Sequence, residues 1–336
     1  MIKDILEKVI TKQHLSFNES FIAMNSIMNG EVNGSHLAGL LIALKSKRES
    51  SEEVAGFASA MREKGTKIKM NGTTTIDVCG TGGDNSGTFN ISTAVAFVVA
   101  GAGVSVAKHG NRSISSLCGS ADVLQELGIN INLSPEQSEK ALHQIGITFL
   151  FAPNFHPAMK HAAPVRKELG MKTIFNMLGP LTNPAEVKHQ LIGTFNDAAA
   201  ELMCSAAEYL GFEKVCFVCT DNRFDEISLH GKTNVYEYDR ISGKKKYTVT
   251  NTTFSYPKVP LEEIAGGDAK TNAEIILNVL KNKTQNGAFY TICANAAMAL
   301  YTANFSSDLE VCKLAAEESI LSGKAYDKLV ALKDFV

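Results

Sequence analysis

Asp77-Val78-Cys79-Gly80-Thr81-Gly82-Gly83-Asp84, overlapping the end of the apolar run Thr75 to Val78, is the stretch from which the fold can be read. A strand ending in small residues leaves backbone N–H groups unpaired at its tip. Such groups form nests for anions, above all where a helix N-terminus points at the same spot. The pattern recurs after one helical stretch, where Val104 to Ala107 leads into Lys108-His109-Gly110-Asn111-Arg112-Ser113. Lys108 brings mobile positive charge and Arg112 a planar fork suited to oxyanions. A site of this kind takes a phosphorylated, polyanionic small molecule.

Outward from these loops, strand-like runs (Ile76 to Cys79, Val104 to Ala107, Ile147 to Phe151, Val215 to Cys219) alternate with helical stretches. The helical stretches are Ile91 to Ala100, Ala121 to Leu127 and Pro135 to Ile145, the last with Ser134 as cap and proline at its first position. That alternation predicts an α/β layer with a mostly parallel sheet. Ser92, Thr93 and the Asn90 amide read as caps of the helix from Ile91, and Ser120 as the cap of the next. The polar segment Lys67 to Thr74 reads as a linker. Before it the pattern is purely helical: Ile2, Ile5, Leu6, Val9 and Ile10 recur at helical spacing, and Ser16-Phe17-Asn18-Glu19 has the form of a capping box. Leu37, Leu40, Leu41 and Leu44 mark a third helix, and Ser50-Ser51-Glu52-Glu53 opens a fourth that runs to Gly65. So small a stack must bury its stripes against something else, and a partner subunit is a candidate. The region from Asn272 onward reads as helices.

The totals agree with two domains. The chain has 336 residues, 45% of them hydrophobic, enough for a sizeable interior. Lys plus Arg number 33 against 35 Asp plus Glu, for a net charge of -2, so nothing attracts nucleic acid or an anionic membrane in general. The seven cysteines are scattered and read as small reduced core residues. Cys216-Phe217-Val218-Cys219 sits within a strand run and lacks the turn that a redox or zinc pair needs. The acidic, amphipathic start is no secretory signal, and no apolar stretch is long enough to span a bilayer. The expected location is cytoplasmic.

Other segments carry chemistry less specifically. Asp225-Glu226, beyond the strand Val215 to Cys219, reads equally as a solvated turn or as a magnesium site opposite a pyrophosphate. Arg166 closes His156-Pro157-Ala158-Met159-Lys160-His161-Ala162-Ala163-Pro164-Val165 and suits a carboxylate, whereas His156 and His161 lack a third ligand for zinc. Phe175 to Pro184 mixes apolar residues with Gly, Pro and Asn and suits a hinge or pocket rim.

Taken in order, DVCGTGGD (Asp77 to Asp84), NIST (Asn90 to Thr93), KHGNRS (Lys108 to Ser113), GSADVLQELG (Gly119 to Gly128), HPAMKHAAPVRKELG (His156 to Gly170) and FNMLGPLTNP (Phe175 to Pro184) resemble the anthranilate phosphoribosyltransferases over nearly the whole chain. The resemblance implies a small all-helical N-terminal domain, residues 1–70 completed by part of about 160–185, hinged to a larger α/β domain over 74–336 of nucleoside phosphorylase and phosphoribosyltransferase type. It implies transfer of phosphoribose from phosphoribosyl pyrophosphate (PRPP) to the amino group of anthranilate in tryptophan biosynthesis, by a homodimer joined through the helical domain. By motif, PRPP would be held by Gly80, Gly83, Asp84, Thr88, Asn90, Ile91, Ser92, Thr93, Lys108, His109, Gly110, Asn111, Arg112, Ser113, Ser116 and Ser120. Ser92, Asp225 and Glu226 would serve Mg2+, and Gly80, His109, Asn111, Arg166 and Gly179 would line the anthranilate path. Lys108, Asn111 and Arg166 would be the catalytic set.

The family pattern has His-Gly and then Asp-Gly before the acidic pair, where this chain has Cys219-Thr220 and Asn222-Arg223. The geometry of that loop therefore does not follow from the resemblance. The rival readings are a pyrimidine nucleoside phosphorylase, which needs no metal pair, and a non-catalytic nucleic-acid-binding relative, which should be broadly basic.

Overall fold

The computed structural model describes residues 2–70, 72–84, 86–113 and 117–335. Four helices come first: α1 Ile2–Ile10, α2 Phe17–Met28, α3 Gly34–Lys47 and α4 Ser51–Lys64. Capping boxes open α2 at Ser16 and α4 at Ser50, each with its glutamate three residues on. Leu37, Leu40, Leu41 and Leu44 are all buried. Their core is shared with Ala162, Val165, Ile174, Phe175 and Leu181, so the bundle is closed by a later part of the chain.

The α/β part follows as β1 Thr75–Gly80, α5 Ile91–Gly101, β2 Ser105–Gly110, α6 Ser120–Glu126, α7 Pro135–Ile145 and β3 Ile147–Phe151. Next come α8 Ala152–Phe155, α9 Ala163–Leu169, α10 Phe175–Leu178, β4 His189–Gly193, α11 Asp197–Ala207 and β5 Lys214–Thr220. A hairpin, β6 Thr233–Asp239 and β7 Gly243–Val249, completes the sheet, and α12 Ala269–Leu280, α13 Gly287–Thr302, α14 Leu309–Leu321 and α15 Lys324–Lys333 finish the chain. The seven strands lie in the order β3-β2-β1-β4-β5-β6-β7, parallel through β5 and antiparallel for the hairpin. The order reverses direction between β1 and β4. In open α/β sheets the crevice beyond the carboxyl ends of the strands at such a reversal is where ligands bind.

Several local expectations need correction. β2 runs on through Lys108, His109 and Gly110, which the sequence pattern assigned to a loop, because they pair with Phe149, Leu150 and Phe151 of β3. Asn90 precedes α5 but makes no side-chain cap, since its amide is spent on Asn272 and Cys118. Ser120 is the first residue of α6 rather than its cap; Gly119 holds the cap position, with Asp122 accepting from its N–H. Nor is the segment after α4 a free linker. Ile68 is buried against Leu142, Leu150 and Phe155, and its N–H donates to Pro184 O at 3.2 Å. Strand β4 and the hairpin were not singled out, as their apolar runs are short or interrupted by charge.

Glu53 fastens the bundle from within. Its carboxylate is fully buried and accepts from Leu15 N at 2.9 Å, Ser50 N at 2.8 Å and Lys47 Nζ at 2.7 Å. Removing one partner of such a buried pair strands the other. Glu53→Ala should lower unfolding stability by about 3–5 kcal/mol, whereas Lys8→Ala, which breaks the exposed Lys8–Glu19 pair, should cost less than about 1 kcal/mol. Urea unfolding followed by circular dichroism distinguishes the two.

Candidate active site

Beyond the ends of β1 and β4 the glycine loop meets the acidic pair. Asp225 Oδ2 accepts from Gly82 N at 2.9 Å, and Asp225 N donates to Asp84 Oδ2 at 3.2 Å. Two strand-end glycines make the room: a Cβ on Gly80 would lie 2.6 Å from Asp225 Oδ2, and one on Gly193 would lie 1.5 Å from Asp225 O. Gly82 and Gly83 take positive φ, which glycine adopts without steric cost, and the Thr81 N–H donates to Gly193 O at 2.9 Å. Glu226 Oε1 accepts from Ser92 N at 3.2 Å, at the N-terminus of α5. Ser92 Oγ in turn accepts from Lys108 Nζ at 3.2 Å, and the same ammonium donates to Val78 O at 2.6 Å.

The electrostatics of this group are one-sided. Burial pushes the Asp225 carboxyl up, and the neighbouring Asp84 adds to the shift. Glu226 is raised by burial and by Asp225, with Lys108 opposing. Burial pulls Lys108 down, against the pull of Asp77. Three carboxylates on one rim face a single ammonium that is itself buried behind Ser92. Among the described residues no three His, Cys, Asp or Glu side chains converge tightly enough to cage an ion by themselves.

The alternation of β2 separates a second group from the first, because successive strand residues face opposite ways. His109 points away from Lys108 and lies with its ring 5.2 Å from that of His156. Its backbone N–H is held by Asp77 Oδ1 at 3.1 Å, and Asp77 Oδ2 accepts from Gln190 Nε2 at 3.0 Å. Burial and His156 hold His109 well below the usual histidine range, although it bonds the Gly179 backbone. His156 is pulled down to about 4 by burial. Both rings are therefore neutral, and the Nε2 of each is buried with no partner among the described residues. The Gly179 backbone borders His109, and the Arg166 guanidinium stacks over the Phe175 ring at 4.9 Å. Arg166 is half-buried and has no acidic partner among the described residues, and burial lowers its pKa. A cation of this kind over an aromatic ring suits an aromatic carboxylate.

The other sequence-predicted residues lie as follows. Ile91 and Thr93 are buried, backbone included. Thr88 Oγ1 contacts Ser86 Oγ at 3.1 Å, and Asn90 ties α12 to the loop before α6. Gly110 packs against Ser120 Oγ, which donates to Asn111 O at 3.2 Å. Arg112 and Ser113 are engaged by Asp122. Ser116 lies outside the described residues. Sequence reasoning set His156 aside as half of a poor zinc pair, and it counted Asn295-Ala296-Ala297 toward the family resemblance without giving Asn295 a role; the Asn295 amide holds both N–H and C=O of Ile227, next to the acidic pair, at 3.0 and 2.8 Å. The signal for Asn295 was a lone amide in the otherwise apolar helix α13.

The loop that departs from the family pattern closes without glycine. Asp221 and Asn222 take the positive φ values, 49° and 54°, which Asp and Asn tolerate better than most residues. Arg223 needs no such conformation and lies over the Phe224 ring at 5.2 Å.

Comparison with known proteins places this geometry. The chain matches the glycosyl transferase family helical bundle domain over residues 3–65 and its a/b domain over residues 72–326. It is 46% identical to the anthranilate phosphoribosyltransferase of Alkaliphilus metalliredigens over 329 residues, covering 98% of this chain and 96% of that protein. The crystal structure of the enzyme of that name from Thermus thermophilus superposes with a TM-score of 0.93 at 38% identity, over 98% of each chain. The Saccharomyces cerevisiae enzyme in complex with PRPP and Mg gives 0.90 at 27% identity, over 99% of this chain and 97% of that one.

The His156 environment sets a pH dependence of folding. The unfolded ring titrates near 6.5 and the folded one near 4. Below the upper value the unfolded chain takes up a proton that the folded chain refuses. Stability should therefore fall as pH drops across that window, by about 3 kcal/mol in full. His156→Gln should flatten that slope, as measured by urea midpoints at about pH 7 and about pH 4.5.

Proposed function

We propose how this site works from an established point: the chain belongs to the anthranilate phosphoribosyltransferase family. It is a glycosyltransferase that moves the phosphoribosyl group of PRPP to the amino group of anthranilate, giving N-(5-phosphoribosyl)anthranilate and pyrophosphate in tryptophan biosynthesis. The observation that carries the assignment of roles is the meeting of Gly80 to Asp84 with Asp225 and Glu226 at the reversal of strand order.

In this reading the diphosphate is received at Gly83 and Asp84 of the glycine loop, since the Thr81 and Gly82 N–H groups are already paired. Asp225, Glu226 and the Ser92 hydroxyl hold Mg2+, with Asp84 completing the acidic rim. The ion would supply positive charge against the phosphates. Lys108 adds charge from behind Ser92, a buried position from which it stabilises charge gathering on the leaving group. The bond from the anomeric carbon to pyrophosphate breaks while that carbon gains oxocarbenium character, as in other glycosyl transfers. The arylamine nitrogen donates its electron pair to form the new C–N bond, and the proton it sheds passes to water. No side chain need act as a strong base, in keeping with neutral His109 and His156. Arg166 anchors the anthranilate carboxylate, with His109, Asn111 and Gly179 along its path. Catalysis is then positioning and electrostatics.

The same proposal includes a homodimer through the helical bundle, supported by exposed Ile10, Ile22 and Ile42 on α1, α2 and α3. It includes a cytoplasmic location, supported by cysteines that are all free and buried. No helix among the described residues is long and apolar enough to cross a membrane.

Loss of anthranilate fluorescence with PRPP and magnesium present tests the activity. In that assay Arg166→Ala should raise the anthranilate KM by about tenfold or more, the value of one charge-assisted bond, with the PRPP KM unchanged; an unaltered anthranilate KM rejects the assignment. Replacing both Asp225 and Glu226 by Ala should shift the magnesium titration to higher concentration by about tenfold or more. A superimposable titration removes them from the metal site.

A further inference from the structure

The acidic pair rides on a strap, residues 225–228, that belongs to no helix or strand. Such a segment has no ladder to fix its register, so its backbone polar groups must find partners elsewhere. Two side chains from distant elements supply them. Thr220, the last residue of β5, donates its hydroxyl to Glu226 O at 2.6 Å and accepts from Ser228 N at 3.1 Å. Thr233 Oγ1 of β6 lies 2.6 Å from the same oxygen, which fits a hydroxyl with one proton to give and two lone pairs to receive. Asn295, within α13, accepts from Ile227 N at 3.0 Å and donates to Ile227 O at 2.8 Å. Both side chains are buried.

Thr220 also closes the turn before the strap. Its N–H donates to Phe224 O, and Phe224 N donates to Thr220 O, both at 2.9 Å. One residue thus sets where the turn ends and where the next residues lie. The carboxylates take their own hydrogen bonds from other groups, Glu226 Oε1 from Ser92 N and Asp225 Oδ2 from Gly82 N. Thr220 and Asn295 therefore act on the acidic pair through its backbone. At position 220 the family pattern has glycine, which carries no hydroxyl.

We propose that Thr220 is a positioning residue for the acidic pair: its hydroxyl, together with the Asn295 amide, pins the backbone of residues 226–228 and thereby the reach of Glu226 toward Ser92. The inference rests on the reading of Asp225 and Glu226 as magnesium ligands made above. Without the hydroxyl, Glu226 O and Ser228 N lose a partner, and binding of magnesium with PRPP must order the strap as well.

The test compares full-length wild type, Thr220→Val, Thr220→Ser, Asn295→Ala and Thr302→Val. Three quantities are measured: hydrogen exchange of the metal-free protein, calorimetric titration of PRPP in magnesium, and the magnesium dependence of turnover. Thr302→Val removes another buried hydroxyl, bonded to Met298 O at 2.7 Å within α13, and controls for lost stability alone. Thr220→Val should raise the PRPP dissociation constant and the magnesium needed for half-maximal turnover by about five- to tenfold, the range of one buried hydrogen bond. Amides of residues 226–228 should exchange about tenfold faster with no metal present, and the anthranilate KM should not move. Thr220→Ser keeps the hydroxyl and should stay within about twofold of wild type on every readout. Asn295→Ala should shift the same constants in the same direction as Thr220→Val. If the valine variant does not fold, Thr220→Ala carries its predictions. Unmoved magnesium and PRPP constants in the folded Thr220 variant overturn the proposal, and so does an equal shift in Thr302→Val. The metal reading survives that failure if the Asp225→Ala, Glu226→Ala variant still moves the magnesium titration. If that double variant leaves the titration unmoved, the metal reading falls and the proposal falls with it.

Discussion

The close approach of the acidic loop to the tips of β1 and β4 is the contact on which the site depends. Asp225 reaches its place only because positions 80 and 193 lack side chains; a methyl group at either would collide with its carboxylate or its carbonyl. Once there, it takes a hydrogen bond from the glycine loop and gives one to Asp84. A segment far along the chain thereby becomes one wall of a crevice whose other wall is the first loop. The arrangement buries neighbouring acidic groups together, which is why Asp225 and Glu226 are both pushed up.

Asp77 and β2 organise the rest. Asp77 is fully buried beneath the sheet tip, where His109 N and Gln190 Nε2 satisfy its oxygens and Lys108 offsets its charge. Because β2 continues through residues 108–110, Lys108 and His109 are committed to opposite faces of one strand. The charged half of the site and the aromatic half thus come from adjacent residues and cannot mix. His109, His156 and the Phe175 to Asn183 segment form the aromatic half. Arg62 secures that segment, with Nε donating to Leu181 O at 2.6 Å and Nη1 to Leu210 O at 2.8 Å. The helical bundle, the hinge-like segment and the sheet layer therefore share one buried guanidinium.

The loop before the acidic pair is shaped by its own side chains. Thr220 Oγ1 bonds Glu226 O at 2.6 Å and accepts from Ser228 N at 3.1 Å, closing the loop across its base. Asp221 accepts from Lys232 N and faces His230, whose Nδ1 meets Ser228 Oγ at 2.5 Å. Asn222 accepts from Asp197 N at 2.8 Å, which anchors the turn to the start of α11. Side-chain hydrogen bonds here do the shaping that backbone freedom does where glycine is present.

What the sequence determined by itself was local or periodic. The capping boxes at Ser16, Ser50 and Ser134, the helical stripes of the first four helices, the strand cores and the sequence of phosphate-loop motifs all depend on residues a few positions apart. Tertiary structure decided what depends on distant segments meeting. Pairing with β3 drew Lys108 to Gly110 out of a loop and into a strand, and Asn272 and Cys118 took the Asn90 amide away from the helix it precedes. Asp122 drew the Arg112 guanidinium onto its carboxylate, and packing against His109 gave His156 a place that its spacing from His161 never suggested. The physical reason is common to all of them: a polar group takes whichever partner the fold brings within hydrogen-bond reach, and neighbours in sequence are only the first candidates.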